Sequence, residues 1–366
     1  MKIIVILVLL IHGAIHLLGF FKAFGWAEVT QLTADISKPL GVVWLLAALL
    51  FFLSVFGYLL NLEWWVFPAA VAVLVSVFLV ISFWTAAKYG MIPNLIILVI
   101  VAVAFGSWRM DEKISRETSQ LFSTLDFSGQ VLVSEEDLHH LPDPVSRWLK
   151  TTGIIGKPKI KNGRVKQKAL MKMKPEQKDW YPAEALQYTF MEAPAFIWTV
   201  DLSMMPLVHI KGRDRFKDGK GEMLIKLNSL VSIVDEKGEK MDEGTLQRFL
   251  GELVWFPSLA LSPYIQWKIL DDYSAEAIMT YKGTSGSGKF YFDEAGNFVK
   301  FIAMRYKGNE SDARKYAWVL TVDAYSAFDG IKVPSHLKAT WQLEEGPWTW
   351  LDLEILDIQY NTPLID

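Results

Sequence analysis

Four long apolar runs occupy the first third of the chain, and no other feature constrains its fold as strongly. They cover residues 3–21, 40–60, 64–86 and 92–108. Each is close to the roughly 20 residues a helix needs to cross about 30 Å of hydrocarbon. Polar interruptions between them are short, and Trp64, Trp65 and Trp108 stand at run ends, where amphipathic rings favour the membrane interface. Residues 1–108 are therefore predicted to form a bundle of four transmembrane helices. A cleaved signal peptide is the alternative for the first run, but His12-Gly13-Ala14-Ile15-His16 interrupts it and no small-residue cleavage site follows.

Charge separates this segment from the rest. Residues 1–110 hold five basic and three acidic side chains, whereas the whole chain of 366 residues has 37 and 40. The remainder is an ordinary soluble mixture of charges. This excludes a wholly soluble protein, a disordered chain and a strongly basic nucleic-acid binder. The absence of cysteine excludes disulfides, thiolate metal sites and a cysteine nucleophile. With an even number of spans, the N-terminus and the soluble part lie on one side of the cell (inner) membrane. Lys2, Arg109, Lys113 and Arg116 on that side, against Lys22, Lys38 and Lys88 on the other, favour the cytoplasm by a single charge.

His12 and His16 are four residues apart and so share one helix face. Polar groups in a bilayer face the bundle interior, where the pair can be a metal or proton-relay site or an interhelical hydrogen-bonding cluster. The bundle supplies too few further ligands for a metal, so the second reading is preferred.

Residues 109–156 are predicted to be a helical connector, with 109–125 as a helical stretch and a short helix beginning at Asp143-Pro144 and stopping at Gly153. From Gly163 the apolar period changes to two. Twelve strand candidates follow, 221–234 being read as one of them, separated by turn chemistry such as Lys217-Asp218-Gly219 and Asp329-Gly330. An amphipathic helix over 242–256 interrupts them, with Leu246, Phe249, Leu250 and Leu253 on one face. Residues 157–366 are thus expected to be an α+β domain, an antiparallel curved sheet or half-barrel with one inserted helix.

Several stretches carry a resemblance. Trp180-Tyr181-Pro182-Ala183, Gly212-Arg213-Asp214-Arg215-Phe216, the run from Gly251 to Ser258 and the N-terminal His-Gly-x-x-His-Leu-x-Gly-Phe are similar to those of an uncharacterised bacterial four-span membrane-protein family with a β-rich domain. That resemblance implies the architecture and no activity. More distantly, the order of strands, helix and strands resembles the half-barrel of lipoprotein-localisation factors, which hold acyl chains between sheet and helices; this likeness is topological and implies fold more than function.

Motifs for chemistry are weak. Residues 283–289 have the glycine and lysine spacing of a P-loop, but Phe290 replaces the magnesium-ligating hydroxyl and both flanks read as strand, so a hairpin is expected. The histidines have no metal spacing, and no metal or cofactor is expected. Asp271-Asp272 and His209 are the candidates for a membrane-associated hydrolase, with Asp271-Asp272 read more simply as a solvated turn. Arg213 and Arg215 share a strand face; the simpler reading is a solvated surface paired to Glu222 or Lys226, the functional one an anionic head-group contact. Arg248 and Glu252 lie opposite the apolar stripe of their helix and read as a surface salt bridge.

Tryptophan is the strongest signal, with 15 in the chain. The expected role is a non-catalytic, membrane-anchored binding protein for membrane lipid, a hydrophobic small molecule or a lipoprotein acyl chain. Its predicted walls are Trp198, Trp255, Phe256 and Trp267, with Arg213 at a head group. A hydrolase and a structural partner in the membrane are the alternatives, and no nucleic acid is expected.

Overall fold

The computed structural model describes residues 2–30, 32–123, 125, 129–205 and 208–364. Thr124, within the stretch predicted helical over 109–125, lies outside them. The chain divides into two units, Met1–Glu112 and Lys113–Asp366.

Helices α1 (Lys2–Phe24), α2 (Lys38–Leu59), α3 (Val66–Ser82), the single turn α4 (Trp84–Ala87) and α5 (Met91–Phe122) come first. Four helical segments, at Lys2–Phe24, Lys38–Leu59, Glu63–Ser82 and Trp84–Phe122, are long and apolar enough to cross a membrane. Within the first unit large apolar side chains point outward, Leu74 and Leu95 among them, while Ala47, Ala48, Ala69 and Ala72 are buried. A surface greasier than the interior suits hydrocarbon as solvent, where small residues let helices approach. Gly19 marks the tightest approach: a Cβ there would lie 2.1 Å from the Trp44 ring. The fourth apolar run extends further than its hydrophobic part, because α5 continues for 32 residues, about 48 Å at 1.5 Å per residue. Its last residues, from Lys113, belong to the second unit.

The second unit contains α6 (Asp143–Thr152), which Gly153 ends in the left-handed conformation, and then, among the described residues, thirteen strands. These are β1 (Asn162–Met171), β2 (Tyr181–Phe190), β3 (Ala195–Met205), β4 (Val208–Lys217), β5 (Lys220–Leu227) and β6 (Val231–Lys237) before the inserted helix α7 (Glu239–Gly251). After it come β7 (Ile265–Asp271), β8 (Ser274–Tyr281), β9 (Thr284–Phe292), β10 (Phe298–Tyr306), β11 (Lys315–Phe328), β12 (Ile331–Leu343) and β13 (Gly346–Tyr360). They form one antiparallel sheet in the order β6-β5-β4-β3-β2-β1-β13-β12-β11-β10-β9-β8-β7. The first and last strands pair at its centre, and α7 joins its two edges. The stretch expected as one strand over 221–234 is two, because Asn228 and Ser229 take positive φ and turn the chain.

The sheet curves into a half-barrel, with α7 lying in its trough against β4, β5, β9 and β10. At one end its two arms meet: Thr284 Oγ1, after the β8–β9 turn, donates to the carbonyl of Gly219 in the β4–β5 turn at 2.7 Å. Asp218-Gly219 and Asp329-Gly330 both have positive φ at two successive residues, the tight hairpin turn that follows the sheet's twist. Residues 283–289 form the β8–β9 hairpin rather than a phosphate loop. Gly288 is required there because the ring of the buried Phe301 covers it, and a Cβ would sit 2.2 Å from that ring. Gly288→Ala is expected to destabilise the domain by about 1–3 kcal/mol, an overpacking cost. Thermal unfolding followed by β-sheet circular dichroism measures it, and an unchanged midpoint would contradict the packing described.

Helix α7 is shorter than expected. It ends at Gly251 and continues as 3-10 turns over Glu252–Trp255 and Pro257–Leu261. Asp242, in its first turn, accepts hydrogen bonds from the Gly221 amide and Lys220 Nζ, both at 2.8 Å, tying the helix to β5.

Candidate functional site

The concave face of the sheet is not filled by its own side chains. Between it and α7 lies a cavity of about 470 Å3, within the range of small-molecule sites, roughly 300–1,000 Å3. Six tryptophans line it: Trp198, Trp255, Trp318, Trp341, Trp348 and Trp350. Cross-strand register brings them together, since Trp318 pairs with Trp341 and Trp341 with Trp348. A bulge in β13 opposite Ala339/Thr340 shifts the side-chain alternation, so that Trp350 and Leu351 both line the cavity. Leu320, Leu337 and Leu353 continue the apolar wall.

Helix α7 and the 3-10 turn that extends it present two buried faces. Leu246, Leu250 and Leu253 join the core, while Arg248 and Glu252 on the opposite side line the cavity. The surface salt bridge expected for this pair is instead an interior network, because the trough wraps the helix on both sides. Arg248 donates to Asp214 Oδ2 at 2.6 Å and to Glu252 Oε1 at 2.7 Å, and reaches Gln187 Oε1 at 3.3 Å. Gln187 in turn donates to Glu252 Oε2 at 2.7 Å. The guanidinium lies over Trp198 at 4.6 Å and Phe196 at 5.0 Å. Burial pushes the Asp214 carboxyl above its ordinary range despite the attraction of Arg248. Burial alone would lower Arg248, yet Glu252 and Asp214 together hold it above its usual value.

A second arginine enters the cavity from β10. Phe301, Ala303 and Arg305 alternate inward along that strand, and Arg305 stacks on Trp318 at 4.3 Å. Burial, and then the neighbouring Arg248, lower it to about 10, which still leaves it cationic at neutral pH.

The sequence-predicted residues separate. Trp198 and Trp255 line the cavity, their indole N–H groups donating to Gln167 Oε1 at 2.8 Å and the Pro334 carbonyl at 3.1 Å. Phe256 is fully buried, covering Gly163 and meeting Tyr360 edge to face, away from the lining. Trp267 packs on Phe290 and donates to the Ala260 carbonyl. Arg213 lies on the convex face, since Asp214 beside it points inward. It is 1% exposed and bound by Glu117 at 2.8 Å and Glu222 at 2.9 Å. The solvated surface expected there is covered instead by the end of α5, whose Leu121 and Phe122 pack with Tyr188, Phe190 and Ile197. Burial would raise the Glu222 carboxyl, but the hydrogen bond from Arg213 and the charge of Arg215 outweigh it and hold it at about 2.

Asp271, Asp272 and His209 are not brought together. Asp271 Oδ1 accepts from the Tyr273 amide in a turn, and exposed His209 faces Ser203 at 3.4 Å. In the first unit His12 Nε2 meets Asn94 Oδ1 at 2.9 Å and Ser76 Oγ at 3.2 Å, and His16 Nε2 meets the same Ser76 hydroxyl at 2.9 Å. This is a hydrogen-bonded cluster joining α1, α3 and α5.

Sequence reasoning missed Arg248 and Arg305 as interior residues, and Trp318, Trp341, Trp348 and Trp350 as walls. Arg305 had a usable signal, its position two residues after Ala303 and four after Phe301 in an inward-facing alternation.

Among solved structures, a LolA superfamily protein from Nitrosomonas europaea aligns at 10% identity and a TM-score of 0.33, over 61% of this chain and 94% of that one. A β-barrel-like protein of the unknown-function domain DUF1849 from Brucella abortus aligns at 8% identity and a TM-score of 0.19, over 55% and 98%. No curated protein matches the sequence. Residues 131–353, covering α6, α7 and nearly the whole sheet with its cavity, match the model of a family of unknown function, and the chain belongs to that family, DUF6544.

Proposed function

We propose that this protein is a non-catalytic binding protein held in the cell membrane by four spans, whose β domain takes up a lipid or another molecule with a large apolar part. The observation that carries this reading is the tryptophan-lined cavity of about 470 Å3 under α7. A protein interior is normally close-packed, and a domain with so many large side chains has the material to fill its trough. The apolar helices of the first unit support a source for such a ligand, since a bilayer concentrates oily molecules.

One observation favours a second reading, hydrolysis: a carboxyl with a raised pKa, Asp214, lies in the cavity, a frequent property of functional sites. Against it, both carboxylates of the network are already engaged by Arg248.

The test is a titration of the full chain in neutral maltoside detergent with decan-1-ol, read by tryptophan fluorescence, with partition into protein-free micelles measured separately. Saturable quenching or a spectral shift at one alcohol per chain is expected. A signal that follows micelle partition alone would overturn the reading. An octanoate ester probe run in parallel is expected to be recovered intact; its steady cleavage would favour the hydrolase.

A further inference from the structure

Five buried polar atoms of the cavity lining find no hydrogen-bond partner among the described residues: Arg305 Nε, Gln167 Nε2 and the indole Nε1 of Trp318, Trp348 and Trp350. All five are N–H donors. Buried donors are normally satisfied, so a lining that holds five such donors and, among its described residues, no orphan acceptor is matched to an acceptor that comes from outside. The charges agree. Arg248 is consumed by Asp214 and Glu252. Arg305 makes no ion pair or hydrogen bond with the described residues; it stacks on Trp318 and, at 5.8 Å, on Trp341, and Glu252 and Asp214 attract it only from beyond ion-pair distance. Two residues on, just past the end of β10, Lys307 stands over Trp348 at 4.9 Å, and Lys240 at the start of α7 also lines the cavity. Among the described residues, six cationic and four acidic ones line the cavity as a whole.

We propose that the ligand is an amphiphile with an anionic, oxygen-rich head, a carboxylate or a phosphate monoester, whose head is gripped by Arg305 and the neighbouring indole N–H groups while its tail lies along Leu320, Leu337 and Leu353. This deepens the proposed function and rests on it. A guanidinium donates two parallel hydrogen bonds to either head group, which a neutral hydroxyl accepts only in part. Arg305 is the selecting residue, because no carboxylate among the described residues pairs with it directly, whereas Asp214 and Glu252, which attract it from farther off, are bound to Arg248. Its place one layer inside Lys307 sets the order of entry: the cationic rim attracts the head, and Arg305 holds it.

The experiment compares decanoate, decyl phosphate, decan-1-ol and decyltrimethylammonium on the full chain in neutral maltoside detergent, each corrected for micelle partition. Acetate and inorganic phosphate serve as tail-less probes. At least one of the two anionic amphiphiles is expected to bind ten or more times tighter than the alcohol, a difference in keeping with charge-assisted hydrogen bonds. The tighter of the two identifies the head group. The tail-less ions are expected to bind at least a hundredfold more weakly. In Arg305→Gln the ratio of anion to alcohol affinity falls to about one, and in Arg305→Lys it is intermediate. The proposal is overturned by a wild-type ratio near one, by preference for the ammonium, by tail-less ions binding as well as tailed ones, or by a ratio that Arg305→Gln leaves in place. If Arg305→Gln fails to fold, the wild-type ratio and Arg305→Lys decide. Binding of the alcohol without preference would defeat this inference alone, whereas no binding of any tailed probe would defeat the cavity reading with it.

Discussion

Arg248→Met will destabilise the β domain by about 3–5 kcal/mol, the usual consequence of removing one partner from a buried ion pair. The methionine fits the same space, so the loss comes from charge rather than volume. Asp214 and Glu252 are left without the guanidinium that now holds them at 2.6 and 2.7 Å. The deficit will depend on pH, and its sign follows from Asp214. Its carboxyl is raised in the folded state by burial, so its contribution to stability is present below the ordinary carboxylate range and is lost as pH rises through the raised value. Without Arg248 the opposing attraction disappears and the carboxyl rises further. Chemical unfolding at about pH 5 and about pH 8 will therefore give a smaller deficit at the lower pH. Equal deficits would mean that the buried carboxylate is not what the arginine offsets.

The second large effect concerns Ala339. It is buried on β12, between Leu320 and Leu351 in the cross-strand register, and it lines the cavity. A phenylalanine there projects into the open space. In a filled core such a substitution costs about 1–3 kcal/mol through strain. Here the ring has room, so Ala339→Phe will change unfolding stability by less than about 1 kcal/mol while lowering the affinity for decan-1-ol at least tenfold. Stability and affinity thus move independently, which separates a hollow site from a merely apolar one. Strong destabilisation with binding intact would place the ligand elsewhere.

The parts of this architecture legible from sequence are those that one physical demand dictates. A bilayer demands apolar runs of a set length, and the chain has four helical segments that satisfy it. A half-buried sheet demands alternation, and Val165, Gln167 and Ala169 already place β1 with one face inward. Errors arise where two demands meet. The polar face of α7 reads as solvent-exposed because a helix on a flat sheet has one dry face, yet in a trough it has two, and Arg248 becomes interior. Arg213 reads as a surface residue because nothing local announces that the end of α5 covers the strand. The bulge beside Trp350 breaks the alternation without a turn residue to mark it, so sequence parity puts Asp352 on the tryptophan face, whereas it pairs with His336 on the convex side at 2.6 Å. Phe256 and Trp267 stand out in the sequence by aromatic character alone, and character does not fix direction.

Whether the trough beneath α7 carries an apolar guest is decided by native mass spectrometry of the full chain and of Ala339→Phe, both released gently from the same detergent. One retained lipid-sized adduct per wild-type chain, absent from Ala339→Phe, is expected, so that lipid merely adhering to the apolar helices, common to both, is subtracted. A bare wild-type chain, or an adduct equally abundant in the two proteins, would contradict it.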